Sequence, residues 1–166
     1  MTIACWNGEI VELAFALDCC DREAIAVVAE ARPIDGADNR RLIRQPEFSR
    51  FGNEKPTEPV RCLGDNEGIY ASLETVIAAE KLSLTPITTP VASPESNVMS
   101  EALENTLRRD HPDGADWSSA AGVLERIPGW ITDYNQHAPH SALGYRSPLE
   151  YRREQTSETV SGCLTK

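Results

Sequence analysis

No apolar run of roughly 18 residues occurs in this chain of 166, so no membrane-spanning helix is expected. Glu9 and Glu12 interrupt the apolar residues near the start, so no secretory leader is expected either. Five cysteines (Cys5, Cys19, Cys20, Cys62, Cys163) form no C-x-x-C pair, and no histidine stands at finger spacing from them. A structural zinc site is thereby excluded, and buried reduced thiols are expected, with Cys19 and Cys20 on opposite faces of a strand. Basic residues are also scarce. Sixteen Lys and Arg face 26 Asp and Glu, for a formal charge of −10. That is the wrong sign for a chain that grips nucleic acid unaided, because phosphate contacts dominate such affinity. The chain has no repeat and no low-complexity linker, and it suits one soluble cytoplasmic domain.

The apolar pattern predicts a strand over Ile10 to Asp18, a turn at Asp18–Arg22, and an antiparallel strand over Ala24 to Ala31. A helix over Asp35 to Phe51 is expected to be poor, since Gly36, Pro46 and seven charges weaken it. Val60–Leu63 reads as a short strand, Tyr70–Leu82 as a helix, and Leu84–Thr88 as another strand. Ser96 or Asn97 should cap a helix running to about Arg109, with Met99, Leu103 and Leu107 on its apolar stripe. A further helix from Asp116 to about His137 should be kinked or split by Pro128. The order suggests an α/β domain, a mixed sheet with helices packed on it.

Two carboxylates carry candidate chemistry. Asp65 follows the Val60–Leu63 strand in the turn Gly64-Asp65-Asn66-Glu67-Gly68, and Glu101 lies early in the helix that follows Asn97. A carboxylate at a strand end and another on a later helix can converge on a divalent cation, the arrangement used in two-metal phosphoryl transfer. Glu101, Glu104, Asn105 and Arg108 share one helix face by their spacing of three, four and seven. Each feature alone is ordinary: a helix-surface Glu, a strand-to-turn Asp.

The C-terminal third is more specific. Trp130-Ile131-Thr132-Asp133-Tyr134-Asn135-Gln136-His137-Ala138-Pro139-His140-Ser141-Ala142-Leu143-Gly144-Tyr145-Arg146-Ser147-Pro148 closely resembles the end of the integrase core of bacterial insertion-sequence transposases, the DDE group related to retroviral integrases. Earlier blocks fit in order. Phe15–Ala24 resembles the second strand and turn, Gly64-Asp65-Asn66 the block holding the second catalytic Asp, and Thr89–Asn97 the approach to the catalytic Glu, which falls on Glu101. The resemblance implies a ribonuclease H-like fold, a mixed five-stranded sheet with helices on both faces. It also implies DNA strand cleavage and transfer during transposition. Mg²⁺ or Mn²⁺ would be held by Asp65, Glu101 and a further Asp, and Arg108, Asn105 and Arg146 would lie near DNA. Implied partners are DNA (transposon ends and target), a second copy, or a full-length transposase, with no membrane.

The same resemblance exposes departures. The family's first catalytic Asp belongs on strand one, at a position that falls before Met1, and what is left of that strand, Thr2-Ile3-Ala4-Cys5-Trp6, holds no carboxylate. Glu67 stands where the family has Gly, Val98 where a Gly precedes the helix, and Asn105 where a basic residue is expected. Asp18 and Asp21 suit turn chemistry, while His137, His140, Trp117, Trp130 and Tyr134 suit capping and packing. The expectation is a core over 1–152, incomplete at its N-terminal end and weakened or inactive in catalysis, with a disordered tail over 153–166. The alternative expectation is a non-catalytic fragment that binds a full-length transposase and modulates it.

Overall fold

The computed structural model describes residues 1–50, 56, 58–64, 72–88, 98–110 and 117–162. Three strands form an antiparallel meander: β1 (Thr2–Ala4), β2 (Ile10–Leu17) and β3 (Ala24–Glu30). Register pairs Ile3 with Val11, Leu13 with Ala29, and Ala14 with Val28. Strand side chains alternate between faces, and this one sheet is covered on both. Ile3, Cys5, Val11 and Leu13 join one core, whereas Ala14, Ala26 and Val28 pack with Leu42 on the other face.

The helix on that second face, α1 (Gly36–Arg50), forms without interruption at Pro46, contrary to the sequence expectation. Its start is secured by Asp35, whose Oδ1 accepts from the amides of Ala37 (2.8 Å) and Asp38 (3.1 Å). Asp38 is buried and bonded to Arg32 at 2.7 and 3.2 Å. The Arg32 guanidinium holds the Asp38 carboxyl below its usual range, against the opposing effect of burial. Packing of Leu42 and Ile43 then outweighs a weak local propensity.

A second, parallel pair follows. β4 (Val60–Gly64) and β5 (Leu84–Thr88) are joined through α2 (Leu73–Lys81), which Ser72 caps by accepting from the Thr75 amide. Five strands in both senses are therefore present. Among the described residues they form two sheets, and no pairing joins β1 to β4.

The other face of the meander is closed by α3 (Val98–Asp110) and α4 (Ala120–His137). Ser119 caps α4, and the helix runs through Pro128 without splitting there. Pro128 is on the exposed side, where its bulk meets solvent, and its carbonyl accepts from the Thr132 hydroxyl at 2.8 Å. Trp117 stacks on Trp130 with centroids 5.6 Å apart. After a short 3-10 turn, α5 (Pro148–Gly162) carries the chain onward, so the tail expected from 153 is helical as far as Gly162. A reciprocal capping box starts it: the Ser147 amide donates to Glu150, and the Glu150 amide donates to the Ser147 hydroxyl.

Cysteine placement also differs from expectation. Cys5 is buried and Cys62 half-buried, but Cys19 and Cys20 are exposed. β2 ends at Leu17, and Asp18 accepts the Cys20 amide at 2.8 Å, which puts both thiols in a turn rather than on a strand. Cys163 lies outside the described residues. Among the described residues no helix is long and apolar enough to cross a membrane.

Candidate active site

Glu101 sits in the first turn of α3 and is exposed. Leu103 and Leu107, fully buried, fix the opposite face of that helix in the core. The polar face runs beside β1. Glu104 Oε1 is 3.7 Å from the Met1 amino group, and Arg108 Nη2 donates to the Thr2 carbonyl at 3.0 Å. Moving one turn along α3 thus moves the contact from residue 1 to residue 2. Glu101 lies about 4.5 Å back along the helix axis from Glu104, beyond the Met1 end of β1. A carboxylate in this first turn is also favoured by the positive end of the helix dipole.

Other candidates fare differently. Asp65 lies outside the described residues; Gly64 before it ends β4, in register with Thr88. Asn105 is exposed on the Glu101 face. Arg108 is exposed, with its guanidinium on the edge of β1. Arg146 braces its own loop: Nε is 2.6 Å from Glu154 and Nη1 donates to the Leu143 carbonyl at 3.3 Å. Among the described residues no group of three His, Cys, Asp or Glu is arranged to hold a metal ion. Glu101 is a suitable oxygen donor for a hard cation, but the described donors alone do not hold Mg²⁺.

The signature near the C-terminus has a clear structural task. Asn135 is buried on α4, and its amide grips one residue of β3: Oδ1 accepts from the Ala24 amide at 2.9 Å and Nδ2 donates to the Ala24 carbonyl at 3.0 Å. Tyr134 donates to the Arg22 carbonyl at 3.1 Å and meets His140 edge-on, centroids 5.3 Å apart. Burial raises the Tyr134 phenol to about 12. Burial, aided by the Arg22 charge, lowers the His140 pKa.

The turn gripped this way is held from a second side. Arg50, at the end of α1, lies 3.4 Å from Asp18, 2.9 Å from Asp21 and 3.0 Å from Glu23, and Arg152 of α5 adds a 2.9 Å contact to Glu23. Burial works against the Arg50 charge, yet the carboxylates outweigh it and its pKa is raised. Sequence reasoning missed Asn135 and Arg50 as individuals. The available signal for Asn135 was its place one residue beyond Tyr134 on the apolar stripe of α4, where a polar residue needs partners.

Comparison with known proteins gives these motifs a context. Residues 82–148 match the model of the integrase core domain family. The chain is 42% identical over 157 residues to the insertion element IS136 uncharacterized protein of Agrobacterium fabrum, covering 94% of this chain and 80% of that protein. It is 39% identical over 163 residues to the putative transposase InsD for insertion element IS2E of Escherichia coli, covering 95% of this chain and 72% of that protein. The chain belongs to the integrase-core family of insertion-element transposases. It spans 52% of another such relative, the transposase InsD for insertion element IS2D.

Integrase-core structures match in shape. The catalytic core domain of BIV integrase superposes with a TM-score of 0.54 at 16% identity, covering 96% of this chain and 95% of that one. The Mos1 transposase catalytic domain, solved with Raltegravir and Mg, gives 0.62 at 17% identity, covering 80% and 67%. The fold is the ribonuclease H-like one.

Proposed function

We propose that this integrase core derives from metal-dependent DNA strand cleavage and transfer in transposition, with Glu101 and Asp65 as its metal ligands. The single observation that carries the reading is the placement of Glu101. It stands in the first turn of a helix whose polar face follows β1, the strand on which the family resemblance puts another carboxylate. Two divalent cations, when bound, would activate the attacking oxygen and stabilise the leaving one. This chain's own residues present carboxylate oxygens and orient the α3 face.

The residues of β1 carry no carboxylate, so the chain as given is proposed not to cleave DNA by itself. A strand-cleavage assay on a labelled duplex with Mg²⁺ or Mn²⁺ tests this. No product is expected from the chain alone, and cleavage is expected from a version with an Asp placed ahead of Met1. Robust cleavage by the unmodified chain, abolished by Glu101→Gln, would overturn the inactivity and keep the site.

A second reading, a core that binds a full-length transposase and modulates it, is favoured by the fate of the basic residues. Arg32, Arg40, Arg41, Arg50, Arg146 and Arg152 are all ion-paired with the chain's own carboxylates. Cations engaged in this way are poorly placed to release counterions from DNA. Co-purification with an intact relative supports this second reading, and cleavage by the unmodified chain refutes it.

A further inference from the structure

Arg146 was the residue of the signature expected near DNA, yet the structure uses it as a brace and leaves its neighbour in solvent. Tyr145 is 78% exposed, the highest value for a large apolar or aromatic side chain among the described residues. Its backbone is at φ 64, directly after Gly144 at φ 65. A bulky L residue enters that left-handed region only at a cost, and such outliers cluster at active sites, ligand clamps and switch regions.

The loop is built to hold that conformation. The His140 amide donates to the Arg146 carbonyl (3.0 Å), the Tyr145 amide to the His140 carbonyl (2.8 Å), and the Gly144 amide to the Ser141 carbonyl (3.1 Å). Leu143, buried, anchors the base, and Arg146 Nη1 lies so close that a Cβ on Gly144 would come within 3.0 Å of it. The ring itself sits at the surface while this rigid frame pays for its strained backbone. The sequence on either side of it has a distinctive composition. From Tyr134 to Leu149 the chain contains no Asp or Glu, although it holds 26 elsewhere, and this stretch includes His137, His140 and Arg146. Glu150 and Glu154, the nearest acids that follow, are occupied by Ser147 and Arg146. A fixed, exposed aromatic ring thus stands in the longest acid-free stretch of an acidic chain.

We propose that Tyr145 is a stacking surface for an unpaired nucleobase, on a single strand or at a frayed duplex end. This rests on the DNA reading above and deepens it. Stacking on an aromatic ring needs an unpaired base and tolerates any sequence, and it adds to whatever phosphate contacts the chain makes.

Fluorescence anisotropy at low salt, with a labelled single strand and the blunt duplex of the same sequence, tests the proposal on the full chain. Tyr145→Phe should bind the single strand as wild type does. Tyr145→Ser and Tyr145→Gly should lose roughly 5- to 150-fold. Tyr145→Gly should be at least as stable to urea as wild type, because glycine takes this φ without strain, so misfolding cannot account for its loss. Unchanged single-strand binding by the Gly and Ser variants would overturn the stacking role while leaving the DNA reading intact. Absence of any DNA binding by the wild type would sink the DNA reading itself. Loss of self-association in Tyr145→Ser, with DNA binding unaltered, would make the ring a protein contact and also overturn the proposal.

Discussion

Replacing Asn135 by Ala removes two hydrogen bonds at once, and the structure allows the cost to be worked out. Both bonds are buried, at 2.9 and 3.0 Å, and both end on the backbone of Ala24. Ala24 is itself buried at the first position of β3, so its freed amide and carbonyl have no ready access to water. Each orphaned buried group costs about 1–3 kcal/mol, so Asn135→Ala should cost roughly 2–6 kcal/mol, with the lower end applying if one water enters the vacated space. With a urea slope of about 2 kcal/mol/M, the unfolding midpoint should fall by roughly 1–3 M. Asn135→Asp sharpens the test. At neutral pH its carboxylate can accept from the Ala24 amide but cannot donate to the Ala24 carbonyl, and it carries a charge into a buried site. Protonation restores a donor, so the folded-state pKa must be raised. The folded state then holds the proton longer, and stability relative to wild type should recover as the pH falls. An unchanged urea midpoint for Asn135→Ala would refute the view that the signature works by gripping the β2–β3 turn.

Two further changes test neighbouring features. Asn39 is 1% exposed on α1, and neither side-chain polar atom has a hydrogen-bond partner among the described residues, so Asn39→Leu should raise stability by about 1 kcal/mol or more in urea unfolding. His140 has a folded pKa below the ordinary 6.5, so the unfolded chain binds its proton first. The stability tied to its neutral form is therefore complete above that value and is lost as pH falls towards the folded pKa. The urea-stability gap between wild type and His140→Gln should narrow on going from about pH 8 to about pH 5, and a constant gap would contradict the assignment.

Much of the fold was legible because local chemistry and tertiary context agreed. Alternation placed the Ile10–Leu17 and Ala24–Glu30 hairpin, and the stripe of Leu103 and Leu107 placed α3. Where the two disagreed, tertiary context prevailed. The composition around Gly36 and Pro46 argued against α1, but the Asp35 cap and the burial of Leu42 and Ile43 formed it anyway. Pro128 argued for a kink or break in α4, yet the helix continues through it, held by the burial of Val123, Ile127, Trp130 and Ile131. At the site, the type and spacing of Glu101 were readable, and so was its family role by resemblance. The engagement of Arg108 with Thr2 and of Arg146 with Glu154 was not, because an arginine's partner depends on which distant carboxylate or carbonyl the fold brings near.

The grip on the β2–β3 turn also bears on how the chain acquires its structure. Asn135 reaches back 111 residues to Ala24, Tyr134 reaches 112 to Arg22, and Arg152 reaches 129 to Glu23. During synthesis the hairpin emerges before α4, and the Ala24 amide and carbonyl wait for Asn135 before they are paired. Closing so long a loop is slow relative to forming a helix. The meander is therefore open to mispairing while it is being made, and α4 and α5 are what bring that interval to a close.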